Sequence, residues 1–280
     1  MTILRRKALI TGAAGGMGRA CARLFGSTHD LVLTDAVAEP LERFSDDLRA
    51  EGFTVLATHS GDLGSAALLS TLVADATGEV PLTLIHTAGL SPSQADASAI
   101  MAVNLVATVK LLDAIEPILK SGSVAVVIAS TAGHMMPVIP EIAPLFADPL
   151  APGFLDNVCG AIEAMSEGAP AGAPGFSYAL SKQAVIALVE KRAAAWGQHG
   201  ARIVSISPGL ILTPMGRKEL AETQGAAQTA DAAPVGRPGI AMDIALAARF
   251  LASDEASFVS GCDLRVDGGS TAVLKTLMGG

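Results

Sequence analysis

Basic residues are in deficit: 19 Lys and Arg stand against 27 Asp and Glu, for a formal net charge of −8. A surface for nucleic acid or for anionic lipid needs clustered Lys and Arg, so both partner classes are excluded in favour of small molecules. Cysteine is scarce as well. Cys21, Cys159 and Cys262 are odd in number, far apart and without metal-ligand spacing, which excludes a disulfide framework and a cysteine metal site. Reduced thiols in a cytoplasmic protein are the expectation. No uninterrupted apolar run approaches the ~18 residues of a membrane span. The start M-T-I-L-R-R-K-A-L-I resembles a secretory or twin-arginine leader for a few residues, then gives way to T-G-A-A-G-G-M-G-R, so no signal core is expected. There is no internal repeat and no stretch of linker composition, and a single domain over residues 1–280 is expected.

What the chain does have is apolar bulk, 50% of its 280 residues, enough for a sizeable core. Short β-rich runs are predicted near Ala8–Thr11, Leu31–Thr34, Thr54–Thr58, Leu82–His86, Val124–Ala129, Arg202–Ser207 and Asp263–Val266. Between them lie helical patterns, notably Met17–Phe25, Pro40–Glu51, Ala66–Thr77, Ala99–Leu119, Tyr178–Trp196 and Ala241–Leu251. Strand–helix alternation implies right-handed crossovers and an α/β doubly wound parallel sheet, a Rossmann-type fold. Two stretches break the rhythm. Residues 134–176, rich in Pro, Ala, Gly and Met around a short helix Leu155–Met165, form an insert expected to be a partly mobile substrate lid or else an assembly surface. Residues 210–239 read as a substrate-binding loop.

The first strand runs into T-G-A-A-G-G-M-G at residues 11–18 and a helix follows. Gly12, Gly16 and Gly18 in that context allow a tight turn, close approach to a pyrophosphate and close helix–strand packing. Asp35 ends the second strand, a position suited to the ribose hydroxyls of NAD and hostile to a 2′-phosphate. A strand-end cap is the plain alternative for such an Asp. No Lys or Arg stands immediately before Gly16 or immediately after Asp35; Gly15 and Ala36 occupy those places. Further on, S-Y-A-L-S-K places Tyr178, the one tyrosine, four residues before Lys182, so on a helix both share a face. A nearby ammonium favours the phenolate. Lowering a phenol pKa by ~3 units takes about 4 kcal/mol, within reach of one desolvated Lys plus a second positive charge.

Taken in order, these motifs resemble the short-chain dehydrogenase/reductase family over nearly the whole chain. To them are added G-D-L (Asp62, Leu63), A-G (Ala88, Gly89), V-N-L (Asn104), I-A-S-T-A-G (Ser130), S-P-G-L-I-L-T (Pro208, Gly209, Ile211, Thr213) and R-V-D-G-G. The resemblance implies Asn104, Ser130, Tyr178 and Lys182 as the catalytic set. Tyr178 would exchange the hydroxyl proton and Ser130 would steady the same oxygen. Lys182 would lower the tyrosine pKa and hold the nicotinamide ribose, and Asn104 would anchor a water between Lys182 and solvent. It implies NAD held by Gly12, Gly15, Gly16, Met17 and Gly18, by Asp35, Asp62, Leu63, Ala88 and Gly89, by Tyr178 and Lys182, and by Pro208, Gly209, Ile211 and Thr213. It also implies a homodimer or homotetramer and no metal.

Two departures stand out. His86–Thr87 replaces the family's usual Asn–Asn before Ala88–Gly89, and a lone His at a strand end reads as structural. The segment between Ser130 and Tyr178 is several times the family's usual length. With A-A-A-W-G before the sixth strand, it resembles the bacterial branch containing 3α-hydroxysteroid dehydrogenase/carbonyl reductase. The function implied is NAD-dependent interconversion of a secondary alcohol and a ketone. The substrate would be apolar, steroid-like, cyclic or aryl, with Met135, Met136, Val138, Ile139, Ile142, Leu145 and Phe146 as either a cleft wall or a packing surface. The alternatives are a 3-oxoacyl-thioester reductase, which Asp35 disfavours, and a non-catalytic NAD-binding regulator, which the retained Tyr178 and Lys182 disfavour.

Overall fold

Strands of the kind expected do form, and all of them pair in parallel. The computed structural model describes residues 5–169 and 171–279; Met1–Leu4 and Gly280 of the expected domain, and Pro170 of the expected insert, lie outside these. In chain order the elements are β1 (Arg6–Thr11), α1 (Gly16–Gly26), β2 (His29–Asp35), α2 (Ala38–Ala50), β3 (Val55–Ser60), α3 (Ala66–Ala76), β4 (Leu82–His86), α4 (Ala97–Met101), α5 (Ala107–Ile115) and β5 (Val124–Ile128). Then follow α6 (Ala132–Met135), α7 (Phe154–Ser166), α8 (Gly172–Gln198), β6 (Arg202–Pro208), α9 (Pro214–Glu222), α10 (Gln224–Asp231), α11 (Ala241–Ala252), β7 (Asp263–Val266) and α12 (Ser270–Leu277).

The seven strands form one sheet in the order β3-β2-β1-β4-β5-β6-β7. The order reverses between β1 and β4, which opens a crevice beyond their carboxyl ends, where ligands bind in open α/β sheets. Alternate strand residues feed two cores. Leu9, Val32, Leu84, Ala125, Val127 and Ile203 face one; Ala8, Ile10, Leu31, Leu33, Ile85, Val126 and Ile206 face the other. Because side chains alternate with period 2, each β1 residue that packs to one side forces its neighbour to the other. Both faces are therefore covered, by α4, α5 and α8 on the first side and by α1 and α11 on the second.

Helices α4 and α5 run into each other through a π turn, Ala102–Val106, that carries Asn104. The continuous stretch Ala97–Ile118 contains an 18-residue window of mean hydropathy 1.6, long and apolar enough by composition to cross a membrane. Asn104, Lys110, Asp113 and Glu116 interrupt it in the sequence. Here its apolar face, including Met101, Leu105, Leu111, Leu112 and Ile115, is buried in the first core.

The helix of the insert packs against the core. Phe154, Val158 and Ile162 recur at helical spacing on α7, are buried, and join the first core with Leu180, Val185 and Val189 of α8. Met136, Ile139, Leu145 and Phe146 pack against the same cluster and Ile142 is buried within it. Five of the seven residues considered for a cleft wall thus pack on the core, whereas Val138 is exposed. Helix α8 also begins before Tyr178, at Gly172, with Pro174 in its first turn, where no intrahelical N–H is required. Ile162→Ala removes a fully buried side chain and is expected to cost about 2–5 kcal/mol of stability. An unchanged denaturation midpoint would show that α7 is not part of the core.

Candidate active site

The carboxyl ends of β1, β4, β5 and β6 bring most of the expected residues to one crevice. At the end of β1, Gly12 has a φ of +64° and a Cβ there would lie 2.8 Å from the backbone nitrogen of Ala88. A Cβ on Gly18 would lie 2.1 Å from the Gly12 carbonyl oxygen. Side chains are shut out of both positions, which leaves a backbone-lined cradle. The N-terminus of α1 has no side-chain cap and no acidic residue in its first turn, so its N–H groups favour an anion such as a pyrophosphate.

Asp35 reaches the same turn: its Oδ2 accepts the Ala14 N–H at 2.9 Å. Arg19 Nε donates to the Ala14 carbonyl at 2.8 Å, with the guanidinium 4.7 Å from the centre of the Phe44 ring, while Arg23 pairs with Glu51 at 2.7 Å. Both α1 arginines are thus engaged. The Asp35 carbonyl accepts the Gly61 N–H at 3.0 Å, which brings Asp62 beside it. Asp62 itself closes a turn onto the Gly64 N–H at 2.7 Å, and Leu63 packs inward against the first core.

Deeper in the crevice, Met17, Gly89, Ser130, Tyr178, Lys182, Pro208, Gly209, Ile211 and Thr213 line one small cavity. Ser130 follows β5, its hydroxyl accepts the Ala132 N–H at 3.2 Å, and it lines the cavity beside Tyr178. Lys182 is buried, donates from Nζ to the Ile128 carbonyl at 2.9 Å and lies 5.9 Å from the centre of the Tyr178 ring. Burial pushes its pKa down to about 8. The phenol moves the other way from the sequence expectation. Burial, reinforced by the negative charge of Glu219, pushes the Tyr178 pKa up to about 12, with the nearby Ser130 hydroxyl offsetting part of the rise. Desolvation of the phenolate outweighs the attraction of one ammonium, which is itself partly neutralised by burial.

Asn104 stands behind this cavity rather than in its lining. Its Oδ1 accepts the Leu90 N–H at 2.8 Å, and its Nδ2 donates to the Leu90 carbonyl at 3.0 Å and to Ser181 Oγ at 3.3 Å. The Asn104 carbonyl accepts the Thr108 hydroxyl at 2.8 Å. The side chain therefore pins the loop after β4, and Gly89 lets that loop pass close to Lys182: a Cβ there would lie 3.4 Å from Nζ. His86 is buried between Thr11 Oγ1 (2.7 Å) and Thr108 Oγ1 (2.8 Å), and burial with the nearby Lys182 charge drives its pKa down to about 3. It is a neutral, hydrogen-bonded core residue.

Thr213 caps α9, accepting the Gly216 N–H at 3.1 Å, and its methyl packs on Gly16, where a Cβ would lie 2.5 Å away. The same cavity is lined by Leu90, Met215 and Glu219, which sequence reasoning missed. The T-P step at 213–214 starts a helix, so Met215 and Glu219 one turn apart share a face. That much was readable, but not the direction the face would point.

Two family models match the chain: short chain dehydrogenase over residues 6–141 and Enoyl-(Acyl carrier protein) reductase over residues 157–271. The 3-alpha-hydroxysteroid dehydrogenase/carbonyl reductase of Comamonas testosteroni is 33% identical over 195 residues, 69% of this chain and 73% of that protein. Galactitol 2-dehydrogenase (L-tagatose-forming) of Cereibacter sphaeroides is 31% identical over 277 residues, 94% of each. Among solved structures, levodione reductase superposes with a TM-score of 0.74 at 26% identity, covering 95% of this chain and 98% of that one.

Proposed function

Because the chain belongs to the short-chain dehydrogenase/reductase family, whose members use nicotinamide cofactors, we propose that it interconverts a secondary alcohol and a ketone with NAD. The observation that carries this reading is the constellation of Ser130, Tyr178 and Lys182 lining one cavity beside the glycine cradle, with the Lys182 ammonium 5.9 Å from the centre of the Tyr178 ring. The cradle fits a dinucleotide, since Gly12 and Gly18 let the turn close tightly on backbone where a Cβ would collide, and the α1 N-terminus behind it has no side-chain cap. NAD would lie along Gly12, Gly15, Gly16, Met17 and Gly18, with its ribose at Asp35, its adenine toward Asp62 and Leu63, and its other end toward Ala88, Gly89 and the 208–213 turn. When bound, the nicotinamide ring supplies the hydride acceptor and a positive charge.

The chain's own groups handle the proton. Ser130 holds the substrate oxygen by a hydrogen bond, and Tyr178 takes the hydroxyl proton during oxidation or returns it during reduction. Lys182 keeps positive charge under the phenol, and Asn104 positions the 88–91 loop that bounds the pocket. The walls facing Tyr178 are Met17, Leu90, Ile211 and Met215. The insert's apolar residues pack elsewhere, so a compact cyclic secondary alcohol suits the pocket better than a steroid-like one. A panel of cyclic, aryl and steroid alcohols with NAD, followed by reduced-nicotinamide absorbance, tests the reading. Silence across the panel in both directions would refute it.

We also propose a homo-oligomer. Met242, Leu246 and Phe250 form an exposed apolar stripe at four-residue spacing on α11, and Phe258 and Leu264 are exposed near the edge strand β7. Because α7 covers part of α8, a homodimer is favoured over a homotetramer. Light scattering at micromolar concentration is expected to give twice the chain mass, and a monomer would overturn this.

A further inference from the structure

We propose that Glu219 is a substrate-recognition group that selects secondary alcohols bearing a second hydroxyl next to the reacting carbinol. The inference rests on the dehydrogenase reading and narrows its substrate class.

Glu219 lines the same cavity as Ser130, Tyr178 and Lys182. It is close enough to Tyr178 for its charge to act on the phenol. It is not a loose surface acid. Ser91 is buried on the loop after β4, held by Ser93 Oγ at 3.1 Å and, through its N–H, by Gln94 Oε1 at 3.0 Å, and stands near enough to the carboxyl to offset part of the upward pKa push of burial. The adjacent Lys218 ties α9 to the same loop, donating from Nζ to the Ser93 carbonyl at 2.6 Å. Lys218 thus ties α9 to the loop after β4, and Glu219, the next residue on the helix, is carried to the cavity by the same contact.

The carboxyl is costly where it stands. No ion pair formed among the described residues includes it. Its other cavity neighbours include Met17, Leu90, Ile211 and Met215, and a half-buried acid without a cation lacks compensation. Its charge also opposes ionisation of the proposed base. A substrate donor would supply what is missing, because a carboxyl group has about four acceptor sites and the one nearby hydroxyl, Ser91, can fill at most one. A substrate whose carbinol oxygen lies on Ser130 and Tyr178 extends its neighbouring carbon across the cavity, and a hydroxyl there can donate to Glu219. Lys182 lies in the same cavity and disfavours a second ammonium, so a neutral donor fits better than an amine.

The test compares cyclohexane-1,2-diol, cyclohexanol and 2-aminocyclohexanol as substrates with NAD, in wild type, Glu219→Leu and Ser91→Ala. For wild type, kcat/KM is expected to be greatest for the diol. In Glu219→Leu the diol-to-cyclohexanol ratio of kcat/KM should fall about tenfold to a hundredfold, the range for losing a hydrogen bond to a charged group. Ser91→Ala, which leaves the carboxyl in place but without the nearby hydroxyl, should shift the same ratio less and in the same direction, and covers the case in which the Leu variant does not fold. Equal losses for diol and cyclohexanol would overturn the proposal in favour of a purely structural acid, and so would preference for the amino alcohol. Absence of turnover of any alcohol by wild type marks instead the failure of the dehydrogenase reading, and would overturn both.

Discussion

Tyr178→Phe is expected to lower kcat for alcohol oxidation by about two to four orders of magnitude, the usual contribution of a positioned acid–base group, while NAD binding survives. The change deletes one oxygen and leaves the ring that packs above Lys182. The phosphates would be held by backbone at the glycine cradle, at the far side of Thr213 and Gly16, so the two effects separate cleanly. The pH profile adds a second signature. Oxidation needs the phenolate and reduction needs the phenol. With Tyr178 pushed up to about 12, oxidation should climb with rising pH, and a bound oxidised nicotinamide should move the climb to lower pH. Lys182, pushed down to about 8, loses its charge as pH passes that value and weakens the help it gives. Reduction should fall over the range in which oxidation rises, and the Phe variant should lose the tyrosine limb in both directions. A variant keeping more than about a tenth of wild-type kcat, a barrier change under roughly 1.4 kcal/mol, would remove Tyr178 from the chemistry.

The sheet was legible because its signals are local and repeated. Each strand of this parallel layer is a short apolar run set between helical patterns, and the alternation of Leu9 with Ile10, or of Val126 with Val127, simply divides between two cores. The glycine positions were legible for the same reason: what they require is set by their own backbone. What the sequence left open is of a different kind. Met136, Ile139 and Leu145 have the composition of a cleft wall and of a packing surface alike, and only the tertiary path of 134–176 decides between them. The spacing of Phe154, Val158 and Ile162 did carry a helical face, yet the Gly and Pro residues around it suggested mobility. For Tyr178, the four-residue spacing to Lys182 gives the sign of one interaction. Burial and Glu219, which come from distant parts of the chain, reverse the net direction. Asn104 shows the limit again, since V-N-L does not reveal that its amide is taken up by both backbone groups of Leu90.

Cofactor choice is expected to reverse in the double variant Asp35→Ser, Ala36→Arg. Asp35 ends β2 with its carboxylate turned to the Ala14 N–H, at the lip of the cradle where a dinucleotide's adenosine ribose would lie. A 2′-phosphate brought within about 4 Å of that carboxylate meets a repulsion of about 4 kcal/mol per charge pair at an effective dielectric of about 20, roughly a thousandfold in affinity. No α1 cation is free to offset it. Arg19 is held by the Ala14 carbonyl and the Phe44 ring, and Arg23 by Glu51. Wild type should therefore favour NAD over NADP by at least about a hundredfold in kcat/KM, allowing for the salt screening expected at the crevice mouth. Serine at 35 keeps an oxygen for the Ala14 N–H, so the turn is preserved, while Arg at 36 offers a guanidinium that matches a phosphate in two-point geometry. The ratio should then fall below one. Ala36→Arg alone should shift it only part of the way, because the carboxylate still faces the phosphate. Wild-type preference for NADP, or a double variant that still prefers NAD, would show that Asp35 serves only as a tether for the glycine turn.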